Sequence, residues 1–386
     1  MFALSTPSRV HCLKRAVPVG APMHMPSSFN PGETLLVGTV AYDVERVLQR
    51  PGPDEAPPRE VVLLARCLSG EYANARAVIR CLEGPEGAPW RQRAEEGGRL
   101  AMRLAHPHLT RVWQVHSEPR MLHVVSEYLE GFDLQTVLSL AALTRRAPSA
   151  ALACYLGMAI TDALAYLHHG VRNDSGQPLG LIHRGVNPEN IRLGSRGEVK
   201  LSGFDVMFSR LPDRRQTTTN RLRGELAYAA PEYVCEGQND QRQDFFSLGM
   251  VLLELLKVQH PFDNPFARTV EANLDEDNAL QCLEPSWLSL GALSKRLGNF
   301  GPEEVERFAH GLPEGLIPIL KRALQREPAR RYQRALDMRD ALRACLGSLP
   351  GPYGSREAVA EVHELRALSL KYPRDANPLE QGVLPD

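Results

Sequence analysis

The chain of 386 residues changes its texture close to residue 130. Before that point, short runs of apolar and β-branched residues alternate with turn-forming residues, which is typical of strands. After it, apolar residues recur at helical spacing over longer segments. The change predicts an α+β chain with a β-rich first part and a mainly helical second part. The expected strands are 35–37, 44–48, 60–67, 75–82 and two between 112 and 128, and the expected helices are 90–105, 150–168, 244–257, 303–309, 314–325 and 335–346.

The two ends of the chain differ from the part between them. Residues 1–36 begin with a Pro- and Ser-rich stretch that lacks periodicity, and we predict a disordered leader there. Residues 347–386 form a tail rich in Pro and Gly, with one short amphipathic helix predicted near 355–370. We expect this helix to pack on its own domain or to be only partly ordered, rather than to dock on another protein. Its apolar stripe is Val359, Val362, Leu365 and Leu368.

Charge and hydropathy exclude several classes of partner. The formal net charge is −1, so nothing indicates nucleic acid or an acidic membrane surface, and we expect neither. The longest apolar stretch, 147–167, is interrupted by Asp162 and contains Pro148 and Gly157. It predicts a buried core helix rather than a membrane span. The seven cysteines show no metal-ligand or disulfide spacing, which favours a reducing compartment. We therefore expect a cytoplasmic protein.

Seven short motifs carry a resemblance to a known family. The segment 181–191, Leu-Ile-His-Arg-Gly-Val-Asn-Pro-Glu-Asn-Ile, resembles the catalytic loop of protein kinases, and 197–205 resembles the strand leading into their Asp-Phe-Gly triplet. The resemblance covers about 40–346 and is greatest to bacterial Ser/Thr kinases. It implies a two-lobed fold, with a small lobe over 37–128 and a large lobe over 129–346. The other matches, in the family's order, are 77–80, 124–131, 230–232, 244–249 and 327–332.

Phosphoryl transfer needs a base for the attacking hydroxyl, metal ions on the phosphates and a lysine beside them. By the resemblance, Gly185 stands at the catalytic-loop aspartate and Asn187 at the lysine that follows it. Asn190 matches the loop asparagine. Gly203 stands at the metal-binding aspartate, and Asp205 replaces the glycine two residues later. Asn190 and Asp205 are the only weak metal candidates, because one amide is a poor metal site.

The small lobe departs from the family in the same direction. Arg80 stands at the phosphate-binding lysine, and its planar fork does not replace a compact ammonium. The helix glutamate that pairs with that lysine falls at Gly97, directly after two glutamates. The chain has no lysine between positions 15 and 199, so none is available as a substitute. The phosphate-covering loop matches 49–58, where four prolines and two acids offer a phosphate little.

The position of the nucleotide pocket is also altered. The resemblance puts Val78 at the roof of the adenine slot and Arg192 at its floor, with Ser126, Glu127 and Leu129 in the hinge. A bulkier roof and a charged floor disfavour a flat apolar purine. We expect no bound cofactor; the alternative is ATP with Mg²⁺, with the Arg192 guanidinium stacked on the base.

The residues that the family uses for architecture are retained. His183 and Phe204 match internal packing positions, and Asp244 matches the carboxylate that accepts backbone N–H groups near His183. Glu232 and Arg331 match a buried ion pair, which is strongly destabilising to break on one side. Arg184 matches the residue that receives an activation-loop phosphate. Thr217, Thr218 and Thr219 lie where such a phosphate is carried, but a solvated loop is the simpler interpretation.

Loss of catalytic groups beside retention of architectural ones predicts a pseudokinase. The hypothesis is a scaffold or regulator that binds a protein partner, with an active kinase or another signalling protein as the candidate. The alternative is a divergent ATP-binding Ser/Thr protein kinase, or another nucleotide-dependent transferase of weak activity. It would use Asp205 with Asn190 for one metal and Arg80 for phosphate. Random loss in a decaying gene is a third interpretation, which predicts losses in both sets of residues.

Overall fold

In the computed structural model, which describes residues 29–51, 59–209, 226–262 and 290–372, the first part of the chain forms an antiparallel sheet of six strands. The spatial order is β1-β2-β3-β4-β6-β5, and helix α1 (Pro89–Ala101) lies between β4 and β5 in the chain. This sheet with its helix is the predicted small lobe. The strands are β1 (Thr34–Val37), β2 (Val40–Gln49), β3 (Arg59–Cys67), β4 (Arg76–Glu83), β5 (Val112–Ser117) and β6 (Met121–Glu127).

Side chains alternate between the two faces of this sheet, as they do in any strand. Leu63, Ala65, Ile79 and Val125 lie on one face and are fully buried in the small-lobe core. Arg80 lies on the other face of β4, where its neighbour across β3 is Val62. That second face is turned towards the large lobe, so residues of β3 and β4 reach the space between the lobes.

Strand β1 corrects the predicted start of the small lobe. The prediction placed residues up to 36 in a disordered leader, but Thr34–Val37 pairs with β2, and Val37 is fully buried. Phe29 is buried as well. Gly38 makes the tight reversal between the strands, with a positive φ of 59° that side-chain-bearing residues rarely adopt. The strand agrees with the one predicted over 35–37, and Val37 and Phe29 cover the apolar face of the sheet.

The large lobe begins after the hinge, defined as residues 126–131, which joins β6 to β7. It contains a small sheet of order β7-β8-β9 and then helices. Asp133 caps α2 by accepting a hydrogen bond of 2.8 Å from the Thr136 N–H. The predicted two-lobed α+β fold is confirmed. The elements are β7 (Gly131–Asp133), α2 (Leu134–Thr144), α3 (Ala150–Ala165), β8 (Ile191–Gly194), β9 (Val199–Leu201), α4 (Pro231–Glu236), α5 (Gln243–Lys257), α6 (Leu290–Asn299), α7 (Pro302–Phe308), α8 (Ile317–Ala323), α9 (Ala335–Ser348) and α10 (Ser355–Ser369).

Helix α3 runs through the core of the large lobe. With the π-turn that follows it, the segment Ala150–Gly170 is long and apolar enough to cross a membrane by length and composition. Its side chains, however, are buried inside the lobe: Leu152, Ile160 and Leu164 are fully covered. Helix α9 packs along it, and Gly157 lets Leu342 approach closely. This matches the predicted core helix.

The tail helix α10 packs against α2 of the same lobe. Glu361 fixes it, because its carboxylate accepts hydrogen bonds from the Ser149 backbone N–H (2.6 Å), the Ser149 hydroxyl (2.7 Å) and the Tyr353 hydroxyl (2.6 Å). Val362 and Leu365 of its apolar stripe are buried. The expectation that this helix packs on its own domain is confirmed.

Candidate functional site

The predicted catalytic loop lies at the base of the space between the lobes, and Asp244 of α5 fixes its backbone. The Asp244 carboxylate is fully buried and accepts hydrogen bonds of 2.9 Å from the backbone N–H groups of His183 and Arg184. This is the arrangement that the sequence predicted for Asp244. His168 adds a third contact, since its Nε2 lies 2.9 Å from the same carboxylate.

The contact of His168 was not predicted from the sequence. A histidine at the end of a predicted helix is more typical of a charge that complements the helix terminus. The structure instead buries His168 against Asp244 and the ring of Phe245, so its role is to hold the catalytic-loop anchor. The turn that contains His168 points into the core of the lobe. The position of a residue at a helix end does not predict whether its side chain faces the core or the solvent.

His183 and Phe204 pack together beneath the cleft, as predicted. Their rings meet edge to face at 5.8 Å between centroids, and both are buried. Burial lowers the pKa of His183 below its usual value near 6.5, despite the opposing charge of Asp244. The neutral ring accepts a hydrogen bond of 3.2 Å at Nδ1 from the Gly185 N–H. The imidazole therefore acts here as a packing and hydrogen-bonding group.

Gly185 has no side chain to offer to the cleft. Val206 lies close to the position that a side chain at Gly185 would occupy. A Cβ atom on Gly185 would stand 3.0 Å from Cγ2 of Val206 and 3.2 Å from the carbonyl oxygen of Gly203. Such distances are tighter than ordinary van der Waals contact. A side chain at this position would therefore require Val206 to shift.

Arg80 is held by two carboxylates. Its Nε donates to Glu60 at 2.5 Å, a second guanidinium nitrogen donates to the same carboxylate at 3.2 Å, and a third contact of 3.2 Å reaches Asp205. Burial alone would lower the pKa of Arg80, but Asp205 and Glu60 outweigh it and raise the pKa. Burial would likewise raise the pKa of Asp205, but Arg80 holds it below its usual value. Arg80 and Asp205 therefore each stabilise the charged form of the other.

The two weak metal candidates are engaged elsewhere. Asp205 faces Arg80, and the Asn190 amide donates a hydrogen bond of 2.8 Å to the Gly185 carbonyl oxygen. Asn187 caps this turn by accepting a hydrogen bond of 2.9 Å from the Asn190 N–H. Within the described ranges, no group of three or more His, Cys, Asp or Glu side chains is placed to hold a metal ion.

Gly203 and Asn190 are packed together at the predicted metal position. A Cβ atom on Gly203 would stand 2.3 Å from the Asn190 amide nitrogen, and the φ of Gly203 is +84°. A side chain at Gly203 therefore requires Asn190 to leave its place on the Gly185 carbonyl.

Helix α1 lies directly on the turn that contains Phe204. A Cβ atom on Gly97 would stand 2.4 Å from the Phe204 carbonyl oxygen. Glu95 lies two residues before Gly97, the position of the helix glutamate in the family. Its carboxylate pairs with Arg99 at 2.8 Å. The contact of α1 with this turn is therefore made by backbone and has no space for a carboxylate at Gly97.

Arg91 anchors α1 from its other end, and the sequence gave no sign of this role. It is fully buried and donates to the carbonyl oxygens of Gly84 (2.7 Å) and Met121 (3.1 Å), and to the Ser117 hydroxyl (3.0 Å). It also donates to Glu118, in the same turn between β5 and β6. A charged residue in a helix is normally exposed to solvent. The periodicity of the sequence therefore did not predict that Arg91 is buried.

Two cations lie against the hinge. Arg192 donates from Nε to the Leu129 carbonyl oxygen at 2.7 Å and from a terminal nitrogen to the Gly131 carbonyl oxygen at 2.5 Å. Lys200, the register partner of Arg192 on β9, contacts the Glu127 carboxylate at 2.5 Å. The predicted floor residue is thus bonded to the hinge backbone.

The other predicted pocket residues lie together in the small lobe. Val78 and Ser126 are register partners on β4 and β6, and both are partly exposed. The predicted phosphate-covering loop lies mostly outside the described residues, as do Thr217, Thr218 and Thr219.

The predicted architectural contacts in the large lobe are present. Arg331 and Glu232 form two parallel hydrogen bonds of 2.7 and 2.6 Å, with both side chains buried. Arg184 donates to the Val206 carbonyl oxygen at 2.7 Å and to the Asn239 side chain at 3.2 Å. The groups expected to hold this architecture are therefore all in contact with their partners.

Comparison with known families gives the same assignment as these contacts. A model of the protein kinase domain matches residues 81–342. The chain belongs to the protein kinase family. The match starts within β4, one residue after Arg80, and ends within α9.

Characterised kinases from several organisms are similar to this chain. It is 33% identical over 252 residues to the tyrosine-protein kinase MasK of Myxococcus xanthus, covering 64% of this chain and 34% of that protein. It is 26% identical over 302 residues to the serine/threonine-protein kinase PrkC of Bacillus subtilis, covering 77% of this chain and 39% of that protein. The similarity thus spans little more than a third of the length of these relatives.

Proposed function

We propose that this protein is a pseudokinase: a protein-kinase fold that does not transfer phosphate and acts by binding another protein. One observation carries the proposal. The positions that would hold the base, the metal carboxylate and the helix glutamate are glycines, and at Gly97 and Gly203 a Cβ atom would overlap its neighbours. The Phe204 backbone occupies the space that a side chain at Gly97 would need, and the Asn190 amide occupies the space at Gly203.

The charges of the cleft support the same proposal. A phosphate needs free positive charge, and a metal ion needs free carboxylate oxygens. Arg80 already contacts the carboxylates of Glu60 and Asp205. Binding of Mg-ATP would have to separate these ions before it gained anything from them. We therefore propose that the protein uses no nucleotide or metal cofactor.

Retention of the architectural contacts supports a binding role. The pair of Glu232 with Arg331 and the contacts of Asp244 are buried and keep the large lobe folded around the catalytic loop. A chain under no selection would lose such groups as readily as catalytic ones. We propose a protein partner, with an active kinase or another signalling protein as the candidate, in the cytoplasm, and no interaction with nucleic acid or membrane.

A divergent kinase is the second candidate, and one observation favours it. Asp205 is ionised, a third of its side chain is exposed, and it stands two residues from the usual metal position. Rotated away from Arg80, it would give a metal ion one carboxylate. The relatives in the comparison are kinases by name, which also favours this candidate.

Purified full-length protein separates the two candidates. Thermal unfolding is measured with ATP alone and with Mg²⁺ or Mn²⁺, and phosphate transfer from radiolabelled ATP is measured on the protein itself and on Ser/Thr- and Tyr-containing substrates. A pseudokinase gives no shift and no label. A tight ligand at 100 times its dissociation constant stabilises by about 2.7 kcal/mol, so a clear metal-dependent shift that Arg80→Ala removes would refute the proposal. The binding role requires a co-purifying protein that reassembles with this chain from purified components.

A further inference from the structure

Three sets of side-chain contacts surround the space between the lobes, and two of them cross it. Arg80 of β4 reaches Asp205 of the large lobe at 3.2 Å. Lys200 of β9, also in the large lobe, reaches Glu127 at the end of β6 at 2.5 Å. Each contact has one partner in each lobe, and each pairs opposite charges.

Arg192 makes the third contact, on the hinge. Its two donated hydrogen bonds end on the carbonyl oxygens of Leu129 and Gly131, and its guanidinium also lies 3.6 Å from the Asp133 carboxylate. Charge-assisted hydrogen bonds of this kind are about twice as strong as neutral ones. Arg192 thus joins the floor of the cleft to the backbone of the hinge.

These charged groups are partly buried, which distinguishes their contacts from ion pairs on the exposed surface. The exposed fractions of Lys200 and Glu127 are 16% and 25%, and those of Arg80 and Asp205 are 32% and 35%. Exposed pairs contribute little, because water and salt screen them. Partly buried pairs are screened much less, so these contacts resist opening of the lobes.

We propose that this chain ties its own lobes together through Arg80 and Lys200 and fixes its hinge through Arg192, so that the closed arrangement forms without any nucleotide. The tie goes beyond the proposed binding role, because it concerns the chain alone and holds whether or not a partner exists. Its consequence is a surface of fixed shape across both lobes, which does not respond to the ATP level of the cell.

The distance between the lobes tests the proposal. Spin labels are placed by Leu68→Cys in the small lobe and Leu336→Cys in the large lobe, both of which are exposed. The exposed Cys235 is replaced by Ser, as are Cys12 and Cys282, which lie outside the described residues; the other cysteines are buried. Pulsed electron spin resonance then measures the distribution of inter-label distances in the absence of nucleotide.

The test variant combines Arg192→Leu, Lys200→Met and Asp205→Asn. The matched control makes the same three kinds of change in ion pairs inside the large lobe, at Arg330, Lys321 and Asp337. We expect one narrow distribution for the unmodified protein and the control, unchanged by Mg-ATP. We expect a broader distribution, shifted to longer distances by several ångströms, for the test variant.

Either of two results overturns the proposal. One is a test variant whose distribution equals that of the control. The other is an unmodified protein with a broad distribution that Mg-ATP narrows, which would also contradict the proposed lack of nucleotide binding. Circular dichroism confirms that each variant is folded. If the triple variant fails to fold, Lys200→Met and Asp205→Asn alone decide the matter by the same criterion, since each removes one contact.

Discussion

The backbone carbonyl oxygen of Phe204 lies only 2.4 Å from the point where a Cβ atom on Gly97 would stand. Helix α1 therefore rests on the turn of Phe204 with backbone against backbone. Gly98, the next residue, permits an equally close approach to Val115 of β5. Two consecutive glycines in the middle of a helix cost stability on their own, and this packing explains why α1 contains them.

Gly97→Ala tests that packing, because two effects on stability have opposite signs. Alanine favours a helix interior over glycine by about 1 kcal/mol, whereas overpacking costs about 1–3 kcal/mol. We expect net destabilisation, measured as a lower midpoint of urea unfolding. Gly347→Ala in α9 is the matched control, since nothing lies within 4 Å of its Cβ position, and it should be neutral or stabilising. An equal rise in the unfolding midpoint of both variants would contradict close packing at Gly97.

The pair of Arg331 with Glu232 predicts a large one-sided effect. Removing one partner of a buried ion pair costs about 3–5 kcal/mol, because the other charge stays buried and unpaired. We expect Arg331→Met to lower the free energy of unfolding by an amount in this range. Arg330→Met is the control: its pair with Glu327 is exposed, and we expect almost no change. If both variants unfold at the same urea concentration, the pair is not structural.

Restoring the usual kinase residues should not restore activity. The variant Arg80→Lys, Gly97→Glu, Gly185→Asp, Gly203→Asp restores four of the altered positions. At Gly97 and Gly203, however, the new Cβ atoms overlap backbone and the Asn190 amide. We expect a less stable protein that transfers no phosphate from radiolabelled ATP. Recovered transfer would show that the cleft rearranges easily, and that Arg192 and Val78 do not block a purine.

His183 predicts a pH dependence of stability. Burial lowers its pKa in the folded protein, so the unfolded chain takes up a proton first as the pH falls below about 6.5. The stabilisation is therefore complete above that pH and is lost towards acid, by at most about 1.4 kcal/mol per pH unit for one group.

Urea unfolding between pH 7.5 and 5 measures this slope. We expect a shallower loss of stability in His183→Phe than in the unmodified protein. The exposed His310 supplies the control, since His310→Phe should leave the slope unchanged. Parallel profiles for all three proteins would mean that His183 carries no such linkage.

The lobes, the catalytic loop and the positions of the missing groups were predictable from the sequence. Motifs such as that around Asn190 have fixed internal spacing, so a glycine at 185 or 203 is identified by counting alone. The pair of Arg331 with Glu232 was expected from the resemblance of their two motifs to the kinase family.

The side-chain contacts that fill the cleft around Arg80 and Gly185 were not predictable from the sequence. Glu60 reaches Arg80 only through the register of β3 with β4, in which Glu60 is paired with Leu82 and Arg80 with Val62. Val206 fills the side of Gly185, and Lys200 reaches Glu127, through turns whose direction depends on packing of the whole lobe. Such contacts arise between segments distant in sequence, where no local pattern records them.

The tail helix α10 has a practical consequence for recombinant fragments. The family match ends at residue 342, inside α9, and begins at 81, inside β4. A fragment cut to those limits would lose β1, β2 and β3, of which β3 pairs with β4, and would remove α10 from the face of α2 that it covers. Exposed apolar surface of that kind promotes aggregation. Expression trials should therefore extend from residue 29 or earlier to residue 372 or later.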